Sequence, residues 1–242
     1  MTDAILQPLV TGLIELTLWT AIFASAQTTL IAGFPKESYL AYVLWTAFVT
    51  RITTNWMYES RMIEEIDKGS INGLLVRPMS FFEYYLSQLL GYKFITSSLS
   101  FLIPLVAVSY FGLPTVYSKL PLALLLIAYY LVFVHTLSFF IATLAFQLNR
   151  VYSLTIAKNL ALWIFTGELF PLDILPEPYR SILIQLPFAN AVFIPVGYLT
   201  GRVPLEMVCH GFATTTYGLI VMGALSALTW KWGLSKYSGH GA

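Results

Sequence analysis

The chain has 242 residues, of which 57% are hydrophobic and 10% charged, with 13 Lys+Arg against 12 Asp+Glu and a net charge of +1. Soluble domains carry about 25% charged and about 45–50% apolar residues, so the composition excludes an ordinary soluble domain and a disordered chain. The balanced charge excludes a nucleic-acid binder, which needs a basic excess.

What remains is an all-α polytopic membrane protein, a single transmembrane domain over residues 1–242. A spanning helix needs about 20 mostly apolar residues to cross the ~30 Å hydrocarbon layer. The first such stretch is 4–25, preceded only by Met1, Thr2 and Asp3. Its end, Ala24-Ser25-Ala26, looks like a signal-peptide cleavage site, but it lacks a basic leading segment and carries Glu15 in its middle, which predicts a retained helix. The second stretch is 38–57, with Arg51 near one end and able to snorkel. Residues 59–86 hold the densest charge. There Met62, Ile63, Ile66, Ile71, Leu74 and Leu75 recur at helical spacing between Glu64, Glu65, Asp67 and Lys68, predicting short amphipathic helices at the membrane surface. Gly69 ends the first and Arg77-Pro78 the second. This loop reads either as a solvated connection or as a docking element for a cytoplasmic partner.

Further stretches are 87–111, 120–146 and 154–170. Their unalternating runs, as at 120–128, exclude the ~10-residue alternating strands of a membrane β-barrel. Segment 171–205 contains Pro171, Pro176, Pro178, Pro187, Pro195 and Pro204, with apolar pieces of 6–8 residues between them. Pieces that short cannot span, so a re-entrant hairpin lining a path is expected here. The last stretch is 208–230, completing six spans.

Lys and Arg set the orientation. With a cytoplasmic N-terminus, Arg61, Lys68, Arg77, Lys93, Arg150, Lys158, Lys231 and Lys236 fall inside, and Lys36, Lys119, Arg180 and Arg202 outside. Both termini are then cytoplasmic. Tyr39, Trp56, Tyr58, Tyr84, Tyr85, Trp230, Trp232 and Tyr237 lie near span ends, as aromatic belts do.

Intramembrane ionisable residues are functional candidates by default. Glu15 either faces a central path, meeting a cationic or hydroxylated substrate, or forms a buried salt bridge. Glu168 is a candidate floor or gate of an outer vestibule. Asp173 is expected to N-cap the hairpin helix that follows it. His135 reads as a packing histidine and Lys158 as a snorkelling one. The one cysteine, Cys209, excludes an internal disulfide framework and a zinc cluster. The chain contains no Gly-x-x-x-x-Gly-Lys-Ser/Thr loop, no His-Glu-x-x-His and no Gly-x-Ser-x-Gly, so no enzyme reading stands. Glu64-Glu65 begins a membrane-protease pattern, Glu-Glu-x-x-x-Arg, that Gly69 breaks.

Four strings in order add a resemblance. The inner loop reads Gly69-Ser70-Ile71-Asn72-Gly73-Leu74-Leu75-Val76-Arg77-Pro78-Met79-Ser80. The outer segment reads Gly167-Glu168-Leu169-Phe170-Pro171-Leu172-Asp173-Ile174-Leu175-Pro176. Leu186-Pro187-Phe188, Pro195-Val196 and Gly201 follow, and the chain closes on Trp232-Gly233-Leu234-Ser235-Lys236-Tyr237-Ser238-Gly239. Over about residues 4–240 the sequence resembles the type-2 ABC transporter permeases, the exporter class. Members of that family usually begin with a basic amphipathic interface helix before the first span.

The resemblance implies an inner-membrane permease working as a homodimer or heterodimer, among membrane lipid and without nucleic acid. Separate ATPase subunits would dock on its cytoplasmic side and hold ATP and Mg, leaving this chain without a cofactor. The 59–86 loop would be the coupling helix. Its contacts would be Glu64, Glu65, Asp67, Lys68, Gly69, Arg77 and Pro78, with Ile66, Ile71 and Leu74 as an apolar knob. Glu15, Glu168, Asp173 and Phe188 are the path or gate candidates. The alternative is an ATP-independent channel or secondary carrier, although the inverted repeats common in carriers are not evident. The substrate stays open among small hydrophobic or cationic compounds, lipids and polysaccharide precursors.

Overall fold

The computed structural model describes residues 2–148 and 150–237, the side chains of residues 2–5 and Trp56 excepted. Gly239 of the C-terminal string and His240 lie outside the described residues. A chain in lipid must satisfy its own backbone polar groups, and this one is almost entirely helical. The elements are α1 (Thr2–Ala26), α2 (Lys36–Thr53), α3 (Trp56–Asp67), α4 (Asn72–Leu75), α5 (Phe81–Ser100) and α6 (Leu102–Tyr110). They continue with α7 (Leu120–Thr143), α8 (Tyr152–Phe165), α9 (Tyr179–Gln185), α10 (Phe193–Leu199) and α11 (Leu205–Lys236). One departure from all-α is a hairpin of Leu30–Ile31 (β1) and Phe34–Pro35 (β2). Its turn residues Ala32 and Gly33 take φ of 47° and 83°, the handedness a two-residue hairpin requires.

Among the described residues, four helical runs are long and apolar enough to cross a membrane: Leu6–Ala26, Phe81–Tyr110, Tyr117–Phe146 and Leu205–Lys236. They coincide with four of the six expected stretches. The other two stretches behave differently. Helix α2 has 18 residues, carries Lys36, Glu37 and Arg51, and is buried along most of its length. Helix α8 has 14 residues, about 21 Å at 1.5 Å per residue.

The boundaries have local causes. Helix α2 stops at Thr53 because Thr54 turns extended, and a new helix starts after Asn55. The third run begins six positions before the expected 87, where the Ser80 hydroxyl accepts the Glu83 N–H at 3.1 Å, an N-cap with Glu at N3. It breaks at Phe101, because Pro104 has no N–H to give the Ser100 carbonyl. Helix α8 ends short of the expected 170 on Thr166 and Gly167.

Helix α7 is the centre, packed against α2, α3, α10 and α11. Leu126, Tyr130, Phe133 and His135 are buried along it, and His135 Nε2 meets the Phe82 carbonyl at 3.2 Å. On the periphery, Leu13, Phe94, Val106 and Ile220 stand exposed, the surface a bilayer covers. Some of the expected belt aromatics are core instead: Tyr39, Tyr58 and Tyr85 are buried, while Trp232 remains exposed.

Lys158 does not snorkel. Its ammonium pairs with the Glu59 carboxylate and also meets Ser138 Oγ at 3.3 Å, with the Glu59 side chain fully buried. The pair joins α3, α7 and α8. Removing one partner strands a buried charge, which costs about 3–5 kcal/mol. Glu59→Leu alone is therefore expected to lower the thermal unfolding midpoint of the detergent-solubilised protein sharply. Glu59→Leu with Lys158→Met should recover most of the loss, and a double variant as unstable as the single one would refute this account.

Candidate functional site

The site is built from a surface segment, an internal chamber and a clamp. Helix α3 is amphipathic. Tyr58, Met62, Ile63 and Ile66 turn inward, while Arg61, Glu64, Asp67 and Lys68 face out. Lys68 hydrogen-bonds Glu64 one turn away and holds its carboxyl below the usual range, and Glu65 pairs with Arg61 at 3.5 Å. Gly69, at φ +73°, ends the helix with its N–H on the Ile66 carbonyl at 3.2 Å.

The expected apolar knob needs correction. Ile66 and Ile71 are buried in this chain's own core and Leu74 is half-buried. Helix α3 must cover the ends of α7 and α8, and it spends its apolar face doing so. Exposed apolar side chains lie just beyond instead, at Leu75, Val76 and Met79, beside exposed Arg77 and Pro78.

The chamber opens where α2 breaks. It has two lobes of about 280 and 310 Å³ that share Gln7, Thr54, Asn55 and Glu168. The first lobe adds Arg51, Tyr58 and Lys93, the second Tyr130, Lys158 and Trp163. Glu168 reaches this wall through Gly167, whose φ is +80° and whose carbonyl accepts the Tyr42 hydroxyl at 2.8 Å. A Cβ on Gly167 would lie 2.9 Å from both Tyr42 Oη and Phe193 Cβ, so only glycine fits this turn. Glu15, half-buried on α1, lies within Coulombic range of Glu168. Two of the four path candidates thus come near each other.

The other two do not join them. Phe188 packs between Phe133 and Phe165, with ring centroids 5.9 and 6.0 Å away. Asp173 does not cap a helix: the residue before α9 is Pro178, and α9 has no side-chain cap. Both Nε and Nη2 of Arg202 donate to Asp173 Oδ2, at 3.1 and 2.7 Å. The guanidinium also lies over the rings of Phe34 and Tyr39, at 4.4 and 4.2 Å. This clamp ties the segment after α8 to the loop before α11 and to the start of α2. Nearby, Asn190 Nδ2 donates to the Gly211 carbonyl, Thr214 and Thr215 at 2.9–3.0 Å, fastening the 187–190 turn to α11.

Sequence reasoning missed Arg51, Asn55 and Lys93 as chamber residues, and Asn190 and Arg202 as polar anchors. The available signal was an ionisable or amide side chain inside or beside an apolar stretch.

The sequence matches the family described as "ABC-2 family transporter protein" over residues 9–241. No curated protein and no solved structure matches the chain.

The clamp generates a prediction. Arg202→Met leaves the Asp173 carboxylate buried without its partner and is expected to cost about 3–5 kcal/mol. Arg202→Lys should recover little, because an ammonium cannot reproduce the flat, forked contact. Thermal unfolding of the purified variants reads both, and a Lys variant as stable as the parent would remove the geometric argument.

Proposed function

The chain belongs to the ABC-2 family transporter proteins and is a multi-pass membrane permease component of an ABC transporter, and we propose that it is the exporter-type permease whose α3–α4 segment transmits the stroke of a separate ATPase. In this reading the chain crosses an inner membrane six times with both termini cytoplasmic. Helices α2 and α8 are the second and fifth crossings, both short, α2 enclosed by the other helices and α8 at the periphery. The burial of α2 supports its place, since an interior span need not cover the full hydrocarbon thickness with apolar surface; α8 instead turns Leu154, Ile156, Leu160 and Ile164 outward, an apolar face that lipid can cover. The segment of α9 and α10 is the outer re-entrant hairpin, supported by the complete burial of Phe193–Leu199. The permease works as a dimer, with ATP and Mg held by the ATPase.

One observation carries the coupling role. The outer face of α3 offers Glu64, Asp67 and Lys68, while its inner face is fixed to α8 through Glu59 and Lys158. A partner that binds and displaces the outer face therefore moves α8, which lines the chamber. The ATPase would grip the exposed charges together with Arg77, Leu75 and Val76, and Ile66 and Ile71 would transmit the push from behind. ATP-driven closure shifts the bundle only as far as the ATPase binds the two bundle arrangements with different affinity.

The test is co-purification of an ATPase with the chain, followed by stimulation of its turnover. Lys68→Glu with Arg77→Glu should weaken that assembly by about tenfold, the loss expected from reversing two rim charges. The unfolding midpoint of the permease alone should not change. An ATPase that assembles and turns over equally well with the variant would overturn the coupling role.

A further inference from the structure

The chamber wall holds more unused hydrogen-bond donors than the permease reading explains. Lys93 sits on α5 with its side chain buried, and its ammonium donates to the Arg51 carbonyl and to Thr54 Oγ1 at 3.2 Å. A lysine has three N–H donors, so one is left. Arg51 Nη1 donates to Gln7 Oε1, and its buried Nε–H has no partner. Asn55 is 4% exposed, with neither its Nδ2 nor its Oδ1 partnered. All three residues line the first lobe.

Among the described residues, neither Arg51 nor Lys93 is in an ion pair. The third basic group of the chamber, Lys158, is matched by Glu59. Lys93 is a buried basic group with only neutral acceptors, and half-buried Arg51 stands beside it in the same lobe, so the desolvation of Lys93 is uncompensated. A helix-capping role accounts for the contact of Lys93 with the end of α2. It accounts for neither the free Nε–H of Arg51 nor the unpartnered amide of Asn55, and a buried amide without a partner costs about 1–3 kcal/mol.

We propose that this lobe binds a phosphate-class oxyanion, held by Arg51, Lys93 and the Asn55 amide. The Nε–H of a guanidinium, the third N–H of a buried ammonium and an amide N–H would then supply donors to a group whose oxygens only accept. Glu168, an acceptor, lines the same lobe. It faces whatever hydroxyls the oxyanion is attached to or the water around it, while the oxyanion lies at the basic side. The second lobe, with Tyr130, Val134, Leu162 and Trp163 in its wall, gives an apolar or ring-bearing remainder a place beside the charge. The oxyanion is carried either by a lipid headgroup or by a soluble phosphate. The proposal rests on the permease reading only in treating the ligand as cargo.

The experiment is equilibrium binding to the purified full chain in a neutral detergent. The probes are inorganic phosphate and lysophosphatidic acid, with the monoacylglycerol of the same chain length as the uncharged control. At least one phosphate probe should bind, and bind in preference to the control. Arg51→Gln and Asn55→Leu should each weaken it by about tenfold or more, the loss expected for one hydrogen bond to a charged group. Lys93→Gln should do the same, but its contact with α2 makes misfolding an alternative cause.

Asn55→Leu separates the two causes. The amide it removes has no partner among the described residues, so its unfolding midpoint should not fall while binding does. Binding of phosphate alone identifies a soluble source, and binding of lysophosphatidic acid alone a lipid one. Equal binding of lysophosphatidic acid and the monoacylglycerol overturns the proposal, as does no binding of either phosphate probe or indifference to both Arg51→Gln and Asn55→Leu. No ATPase is present in this assay, so its failure leaves the permease reading untouched. Conversely, an ATPase that does not co-purify leaves the oxyanion site standing.

Discussion

The pairing of Lys158 with Glu59 is the interaction on which the rest of the architecture depends. In a hydrocarbon-surrounded bundle neither charge has an alternative partner in bulk water, so the two side chains stay together through any motion the bundle makes. Their backbones are 99 positions apart, on α3 and α8, and Ser138 of α7 stands beside them. Three helices that meet at one ionic contact move as a unit. Helix α3 is thereby built into the bundle although its outer face is as polar as any surface helix. Beyond that contact the helix is held by its apolar face of Tyr58, Met62, Ile63 and Ile66 and by hydrogen bonds from Tyr58 and Arg61 to Gln88.

The same economy explains where the chamber is. A straight continuation of α2 would fill the space beneath Thr53. The chain instead turns extended at Thr54 and restarts at Trp56, which leaves backbone and side-chain polar groups facing a gap. Lys93 comes in from α5 to meet the Arg51 carbonyl at the end of α2, where a helix dipole favours a cation. Glu168 arrives from the opposite direction on a turn that glycine alone permits. Polar residues of α1, α2, α5 and α8 thus converge at one interruption. That convergence is a property of the fold, because the four segments are distant in sequence.

This also marks how much was legible beforehand. Membrane class, the four long runs and the amphipathic character of 56–67 follow from composition and helical spacing, which are local quantities. The expected start of the third run lies six positions late, although Ser80 and Glu83, three residues apart, form a local capping pair that marks it. The direction in which an amphipathic face points is not local. Ile66 and Ile71 are spaced as a docking knob would be, yet the ends of α7 and α8 need covering and take them. Asp173 and Arg202 are separated by 29 positions, and nothing in either neighbourhood announces the other. Burial explains the composition of α2: a helix enclosed by its own chain is released from the apolar thickness that lipid imposes, so its composition drifts from that of a spanning helix.

The interruption between α5 and α6 has a mechanical consequence. Pro104 has already removed the bond that would have joined the two halves, and the next one, from the Leu105 N–H to the Phe101 carbonyl, is stretched to 3.5 Å. Just before the break, Ser97, Ser98 and Ser100 turn their hydroxyls back onto carbonyls of the preceding turn, a contact that slightly bends and loosens a helix. Tilting α6 on α5 therefore breaks little that is not already broken, whereas bending α7 or α11 would break intact ladders. The third run is jointed at Phe101 while α7 and α11 are continuous, so the bundle has a built-in elbow at that point.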